Sequence, residues 1–188
     1  IIIKNIKYNI FYMTKIPIIS MLSGDEPKYE PKKWNEKEKI KYNHNCYSYV
    51  LNAIHYNRKG KPQPGYASGF KHIRDDQYDC NSFRRRLKKD NPGLYLVDFN
   101  TPCKKGFHKG FLALATGDDT DYHFWRQDKS GYWSHKPGRT EVTNIDASGK
   151  KIINPEKADR KYPHFDYKTP CFFFCVNPKF SIAHSRRI

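Results

Sequence analysis

Residues 121–135 read DYHFWRQDKSGYWSH, and this stretch decides the fold because it encodes an antiparallel hairpin. Two aromatic-rich runs flank the turn signal DKSG, in which Gly131 suits the left-handed position of a three-residue turn with a bulge. Strand side chains alternate, so His123 and Trp125 share a face. The turn sets Trp125 opposite His135; a pairing shifted by one step sets His123 opposite His135 instead. Either register brings the two imidazoles to within about 5–8 Å at Cβ.

The other elements are predicted on both sides of this hairpin. Asn45 is an N-cap candidate, and a helix from it to Ile54 carries an apolar stripe of Val50, Ala53 and Ile54. A second helix is predicted from Asp79 to Lys89, ahead of the stop signal NPG. Apolar runs predict three further strands at 94–97, 110–115 and 171–176. Because helices precede strands, the class is α+β, with the N-terminal helix packed on an antiparallel sheet.

The 188 residues are enough for one domain with extensions. Residues 1–44 are predicted to be an apolar arm and a charged linker, 45–180 the folded domain, and 181–188 a basic tail. Lysines interrupt residues 1–22, so they do not reach the ~20 apolar residues of a membrane-spanning helix. Met13 and Met21 are both candidate starts, so whether residues 1–12 belong to the natural protein stays open.

The chain is strongly basic, with 35 Lys and Arg against 19 Asp and Glu and a formal charge of +16. Such a charge predicts attraction to a polyanion. No zinc-finger spacing, RNA-binding signature or zipper accompanies it, which argues against sequence-specific recognition of nucleic acid. The densest basic patch consists of Arg84, Arg85, Arg86, Lys88 and Lys89.

The five cysteines fit one working thiol and four structural ones, paired or unpaired. Since none forms a CxxC pair, a cysteine-rich zinc site is not expected. Cys171 and Cys175 lie four residues apart on a predicted strand and are interpreted as buried small residues on one face.

Cys46 is the candidate nucleophile because it follows the N-cap candidate Asn45. A free thiol has a pKa of about 8.5, and the first turn of a helix lowers that pKa by favouring the thiolate. The Cys46 backbone N–H and the Asn45 side chain are candidate donors to an oxyanion.

The hairpin supplies the partners that such a nucleophile needs. His123 is predicted to be the general base and His135 the residue that orients it, with Asp146 in reserve for that third role. Trp125 and Trp133 are candidates for a substrate pocket, or for packing across the hairpin. A zinc set of two histidines and Cys46 is the alternative, but no acidic second shell is visible, so neither a metal nor a cofactor is predicted.

These motifs resemble known families. A Cys at a helix start, a His on a later strand and a second His twelve residues on are similar to the NlpC-type branch of papain-like cysteine peptidases. The resemblance implies that fold, with Cys46 as nucleophile, His123 as general base and acid, and His135 as orienting residue. The chain from Tyr42 to Val176 also resembles a little-characterised bacterial family through the runs NCYSYVLN, QPGYASG, DYHFWRQD, YWSHKPG and NIDASGKKIINPEKADR.

Three functions follow as hypotheses. The first is a cysteine hydrolase, a thiol protease or amidase that cleaves a peptide-like substrate through an acyl-enzyme. The second is a catalytically silent structural protein built into an assembly such as a virus particle, through its basic surface and residues 1–22. The third is a nucleic-acid-binding protein driven by charge alone. The sequence does not fix the compartment; a virion or a secreted protein would fit.

Overall fold

The computed structural model describes residues 19–54, 61–117 and 119–182. The predicted arm up to residue 18 and the tail from residue 183 lie outside this part of the chain. The elements in chain order are α1 (Pro31–Asn35), α2 (Glu38–Asn43), α3 (Cys46–Val50), α4 (Cys80–Asp90), β1 (Tyr95–Val97), β2 (His108–Ala115), β3 (Asp121–Gln127), β4 (Trp133–His135) and β5 (Thr169–Val176), with short 3-10 turns at Tyr66–Ser68, Asp75–Gln77 and Pro178–Phe180.

The five strands form one antiparallel sheet in the order β1-β5-β2-β3-β4. This confirms the α+β class. The hairpin has the first of the two predicted registers, since Trp125 pairs with His135. Gly131 adopts a φ of +84° in the turn, the left-handed conformation that a glycine enters without strain.

Both faces of the sheet are covered, because strand side chains alternate between two apolar clusters. The helical cluster joins α3 and α4 to one face, with Tyr47, Val50, Phe83 and Leu87 packed on Leu112 and Phe124. The second cluster lies on the opposite face and includes Phe111, Trp125, Trp133, Ile152 and Phe173. Every residue of β2 is buried, as expected for the central strand of a sheet covered on both faces.

The close approach of α3 to the sheet depends on Gly110 in β2. A Cβ built on Gly110 would lie 2.7 Å from Val50 Cγ2 and 2.5 Å from Phe174 Cζ. No larger side chain fits this space without moving the helix. The glycine therefore sets the distance between α3 and the strands that carry the histidines.

The helix at Cys46 is shorter than predicted. It ends at Val50 rather than Ile54, because Asn52 turns into the left-handed region with a φ of +50°. Ala53 N–H then donates to the Ser48 carbonyl at 2.9 Å, a bond that closes the helix end. By contrast, α4 has the predicted extent within one residue, with Asp79 as its N-cap.

Two disulfides join β5 to other segments of the chain. Cys80 at the start of α4 bonds to Cys171, and Cys103 bonds to Cys175. Of the alternatives that the sequence left open, paired or unpaired, the structure has all four of these cysteines paired, and Cys171 and Cys175 are not two small residues on one face. A register shift opposite Leu112 interrupts the alternation of β5, and Cys171 packs against the helical cluster beside α4.

The segment before α3 packs on the domain at several points. Trp34 of α1 is buried against Tyr49 of α3 and Val142. The Arg126 guanidinium of β3 donates to the Lys28 carbonyl at 3.2 Å, and Gln127 donates to the Ser20 carbonyl at 2.9 Å. These contacts hold the described part of the N-terminal segment against the hairpin.

Candidate functional site

The predicted central residues meet at an open cavity of about 740 Å³, which is bounded by α3, β3 and the loops after β4. Cys46, His123 and His135 all line it, and so does Asn45. Residues that are far apart in the sequence therefore share one cavity, because α3 packs directly against β3 and β4.

The two imidazoles form a directed hydrogen-bond chain. His135 Nε2 lies 3.1 Å from the Ile145 carbonyl, which can only accept, so this nitrogen carries the proton. In the neutral ring, His135 Nδ1 is then an acceptor, and it lies 2.8 Å from His123 Nε2, which donates to it. His123 Nδ1 is left as an unprotonated acceptor on a ring that lines the cavity.

Burial keeps both rings neutral. His123 and His135 are almost completely inaccessible to solvent. Loss of hydration lowers the pKa of His135 to about 4, although the Ile145 carbonyl and Asp146 favour its charged form. Burial, and then the nearby His135, lower the pKa of His123 well below its ordinary value. Neither ring holds a second proton at neutral pH.

The Cys46 thiol lies in an environment opposite to the predicted one. Burial, and then the Asp121 carboxylate, raise the pKa of the thiol to about 12. The thiol donates to the Tyr122 carbonyl, 3.9 Å from Sγ. With only five residues, α3 offers little helix dipole to offset these effects. Cys46 is thus a protonated thiol at neutral pH, because burial and Asp121 outweigh the backbone N–H groups of Phe124 and Tyr47, which lower its pKa.

The Asn45 side chain is occupied by the local fold. Its Oδ1 accepts from Ser48 N–H at 3.1 Å, as predicted for an N-cap, and its Nδ2 donates to the Pro62 carbonyl at 2.7 Å. The local fold therefore uses Oδ1 and one of the two N–H groups of Nδ2.

The predicted pocket tryptophans do not line the cavity. Trp125 and Trp133 are fully buried in the cluster on the face of the sheet opposite the helices. Trp125 contacts the edge of the His123 ring, with centroids 4.5 Å apart. The packing alternative is the correct one for both residues, because the second cluster covers the face on which they lie.

The Asp146 carboxylate accepts hydrogen bonds from backbone N–H groups rather than from the histidines. Its Oδ1 accepts from Ser148 N–H and Lys150 N–H, and its Oδ2 accepts from Asp159 N–H. The His135 ring bonds to the carbonyl of Ile145, not to the carboxylate of Asp146. Asp146 therefore makes no hydrogen bond to His135 that would support its predicted role as the third catalytic residue.

Several residues of the cavity were not anticipated. They come from loops on both sides of the sheet and from the start of β3, and comprise Lys61, Asp121, Arg139, Tyr162, Phe165 and Tyr167. The run Lys-Pro-Gly-Arg at 136–139, a basic turn directly after His135, was the one signal in the sequence that pointed to this region.

Two further candidate properties concern metals and membranes. Within residues 19–54, 61–117 and 119–182, no three His, Cys, Asp or Glu side chains are grouped so as to hold a metal ion. In the same ranges, no helix has the length and apolar character needed to cross a membrane.

Comparison with known proteins gives a different assignment from the motifs. The chain is 38% identical over 140 residues to a protein named insoluble matrix shell protein 1, from Ruditapes philippinarum. The alignment covers 74% of this chain and 85% of that protein. No known family profile matches the chain, and no solved structure matches it significantly.

This relationship overturns the resemblance to papain-like peptidases of the NlpC type and to the bacterial family, and with it the prediction of a hydrolase or thiol protease. The order and spacing of Cys46, His123 and His135 suggested catalysis, but a buried thiol and a neutral histidine pair satisfy the same spacing. With this identity across most of both sequences, the chain belongs to the insoluble matrix shell protein 1 family.

Proposed function

We propose that the chain is a structural protein built into an insoluble matrix together with other components. The observation that carries this proposal is the 38% identity over 85% of the length of a protein named for such a matrix. The proposal keeps the structural hypothesis drawn from the sequence and replaces the virus particle with a matrix.

The covalent framework supports a role outside the cell. Disulfides persist in oxidising compartments and are rare in the cytosol. Both bridges end on β5, and this strand lies between β1 and β2 within the sheet. We therefore place the protein in an extracellular matrix, where two crosslinks that hold the sheet to α4 and to the segment before β2 would preserve the fold.

The partner we propose is a polyanion, bound by the basic face of α4, which we define as Arg84, Arg85, Lys88 and Lys89. These four side chains are exposed, and none forms an ion pair with a described acid. Arg86, the fifth residue of the sequence patch, is buried and donates to the Lys71 carbonyl and to Gln77. It belongs to the fold and not to the binding face.

The matrix role is tested by fractionating the source organism. An antibody against the chain should detect it in material that resists extraction by detergent and urea, and mass spectrometry should identify its peptides there. Replacement of Cys46 by Ala should leave this distribution unchanged, because the proposal gives the thiol no chemical role. Recovery of the chain only from a soluble cellular fraction would contradict the proposal.

The partner is tested with an immobilised polyanion such as polyaspartate. Reversal of the four charges of the basic face to Glu should weaken retention and flatten its dependence on salt. The matched control reverses four other exposed cations, Lys150, Lys157, Lys161 and Lys168. Each variant lowers the formal charge by eight, so equal losses would show that net charge alone, and not the face of α4, governs binding.

A further inference from the structure

The proposed matrix role makes no use of the cavity at Cys46. The cavity is open, has a volume of about 740 Å³ and accommodates a ligand of several rings. It lies between α3 and the loop 162–167, away from the basic face of α4. Its lining combines aromatic rings, cations and a hydrogen-bond acceptor, and each of these constrains the ligand.

The aromatic part of the lining offers flat apolar surfaces with polar edges. Tyr162 and Phe165 are half-buried rings on the loop that closes one side, and Tyr78 lies among the other lining residues. Tyr162 also contacts the His135 ring, with centroids 5.7 Å apart, which fixes its position. Such rings bind ligands that present a flat C–H face together with hydroxyl groups.

Two cations line the cavity and form no salt bridge in the described ranges. Lys61 is half-buried and Arg139 is exposed. They are close enough for the positive charge of Arg139 to help lower the pKa of Lys61, after burial. The acid that lines the cavity, Asp121, accepts a hydrogen bond from Tyr167 at 2.6 Å, and its carboxylate raises the pKa of Lys61, so it offsets part of the positive charge. Arg139 adds a second cation to the same lining. Two cations on the lining of one cavity favour an anionic ligand group there.

His123, which lines the cavity, supplies an acceptor. The hydrogen-bond chain from His123 through His135 to Ile145 leaves His123 Nδ1 with a free lone pair. A ligand hydroxyl or amide N–H can donate to it. The Lys136 ammonium nearby is not available, because it already donates to the carbonyls of Lys41, Gly138 and Thr140.

The sheet gives little opportunity for a peptide to bind as an added strand. The edge of β4 next to the cavity is already paired at His135, which exchanges hydrogen bonds with Thr143 at 2.8 and 2.9 Å. Strand addition needs a free backbone edge. The side-chain lining, with its rings, hydroxyls and two cations, therefore suits a saccharide better than an extended peptide.

We propose that this cavity binds a saccharide unit that carries an anionic group, either a carboxylate or a sulfate. The sugar ring packs on Tyr162 and Phe165, the anion is bound by Lys61 and Arg139, and a hydroxyl or amide donates to His123 Nδ1. The proposal does not depend on the matrix role, since it rests on the cavity alone.

The test is calorimetric titration of the full oxidised chain with a tetrasaccharide of alternating glucuronic acid and N-acetylglucosamine. A sulfated tetrasaccharide forms the second anionic arm, and the neutral N-acetylglucosamine tetramer is the control ligand. We expect at least one of the two anionic tetrasaccharides to bind about tenfold more tightly than the neutral tetramer. A tenfold difference in affinity is the effect expected of one charge-assisted contact.

Variants locate the binding. Lys61→Ala with Arg139→Ala should weaken binding of the anionic ligand about tenfold or more and leave the neutral one unaffected. Tyr162→Ala should weaken both ligands. The matched control is Lys150→Ala with Lys157→Ala, and the charge reversal on α4 should also leave these affinities unchanged. Absence of binding by both anionic ligands, equal affinity for the neutral tetramer, or preference for tetra-aspartate would each overturn the proposal.

Discussion

The two disulfides give the sharpest stability prediction, because their closed loops overlap. Cys80 and Cys171 are 91 residues apart, and Cys103 and Cys175 are 72 apart. When the Cys103–Cys175 bridge is intact, the unfolded chain between Cys80 and Cys171 can be traced through it. That route runs 23 residues from Cys80 to Cys103 and four residues from Cys175 back to Cys171. The loop closed by the Cys80–Cys171 bridge is therefore effectively about 27 residues long.

The loop length sets the expected magnitudes. Removal of the Cys80–Cys171 bridge by double substitution to Ala should lower the free energy of unfolding by about 3.5 kcal/mol, from the entropy of a ~27-residue loop. The two cysteines are half-buried, so little packing is lost. Removal of both bridges should cost about 8 kcal/mol, more than the sum of two single losses, because the last bridge then closes a loop of over 70 residues.

The assay is urea unfolding of the oxidised chain, followed by tryptophan fluorescence and circular dichroism. Since small domains have a total stability of about 5–15 kcal/mol, the variant without bridges should be unfolded or close to it in buffer. Cys46→Ala, which removes an unbridged buried thiol, is the control for cysteine loss. A loss below about 1 kcal/mol for the Cys80–Cys171 pair, with an unchanged dependence on urea, would refute the loop argument.

Three further predictions follow from buried polar groups. Because burial raises the pKa of Cys46 to about 12, iodoacetamide should label this thiol slowly in the native chain at pH 7.5 and rapidly in urea. Equal labelling rates in the two conditions would contradict the burial of the thiol. Burial lowers the pKa of His108 to about 4, so the unfolded chain takes up a proton first as the pH falls, and about 3 kcal/mol should be lost between pH 6.5 and 4. In the His108→Gln variant this acid-induced loss of stability should disappear, which is measured by the pH dependence of the midpoint of urea unfolding. The Asp90 carboxylate accepts from Tyr47 OH, Gly65 N–H and Ser68 N–H, so Asp90→Asn should cost about 2–3 kcal/mol in the same assay, whereas an exposed Asp76→Asn should cost little.

The hairpin was predictable because its signals are local. A glycine in the left-handed position and alternating side chains leave two registers for β3 and β4, and both bring His123 near His135; the structure has the one that pairs Trp125 with His135. The α+β class followed from the same short-range patterns. Helix α4 was also predictable, since Asp79 caps it and a stop signal follows it.

The remaining features depend on contacts between distant segments. Four cysteines allow three pairings, and the register shift in β5 that turns Cys171 toward α4 has no signature in the sequence. The early end of α3 at the left-handed Asn52 is equally hidden, because the apolar stripe continues beyond it. Lys61 and Arg139 line one cavity only after the chain folds, so their shared position has no signature in the sequence.

The burial of the His123–His135 pair explains why a correct geometric prediction led to a wrong functional one. A general base becomes a charged imidazole during the reaction, and burial away from solvent and charged partners disfavours that form. Here the chain of donors ends on the neutral carbonyl of Ile145, and burial lowers the pKa of both rings. The pair instead joins β3, the three-residue strand β4 and the loop at Ile145 through satisfied hydrogen bonds, so the same contacts that resemble a catalytic dyad hold the edge of the sheet together.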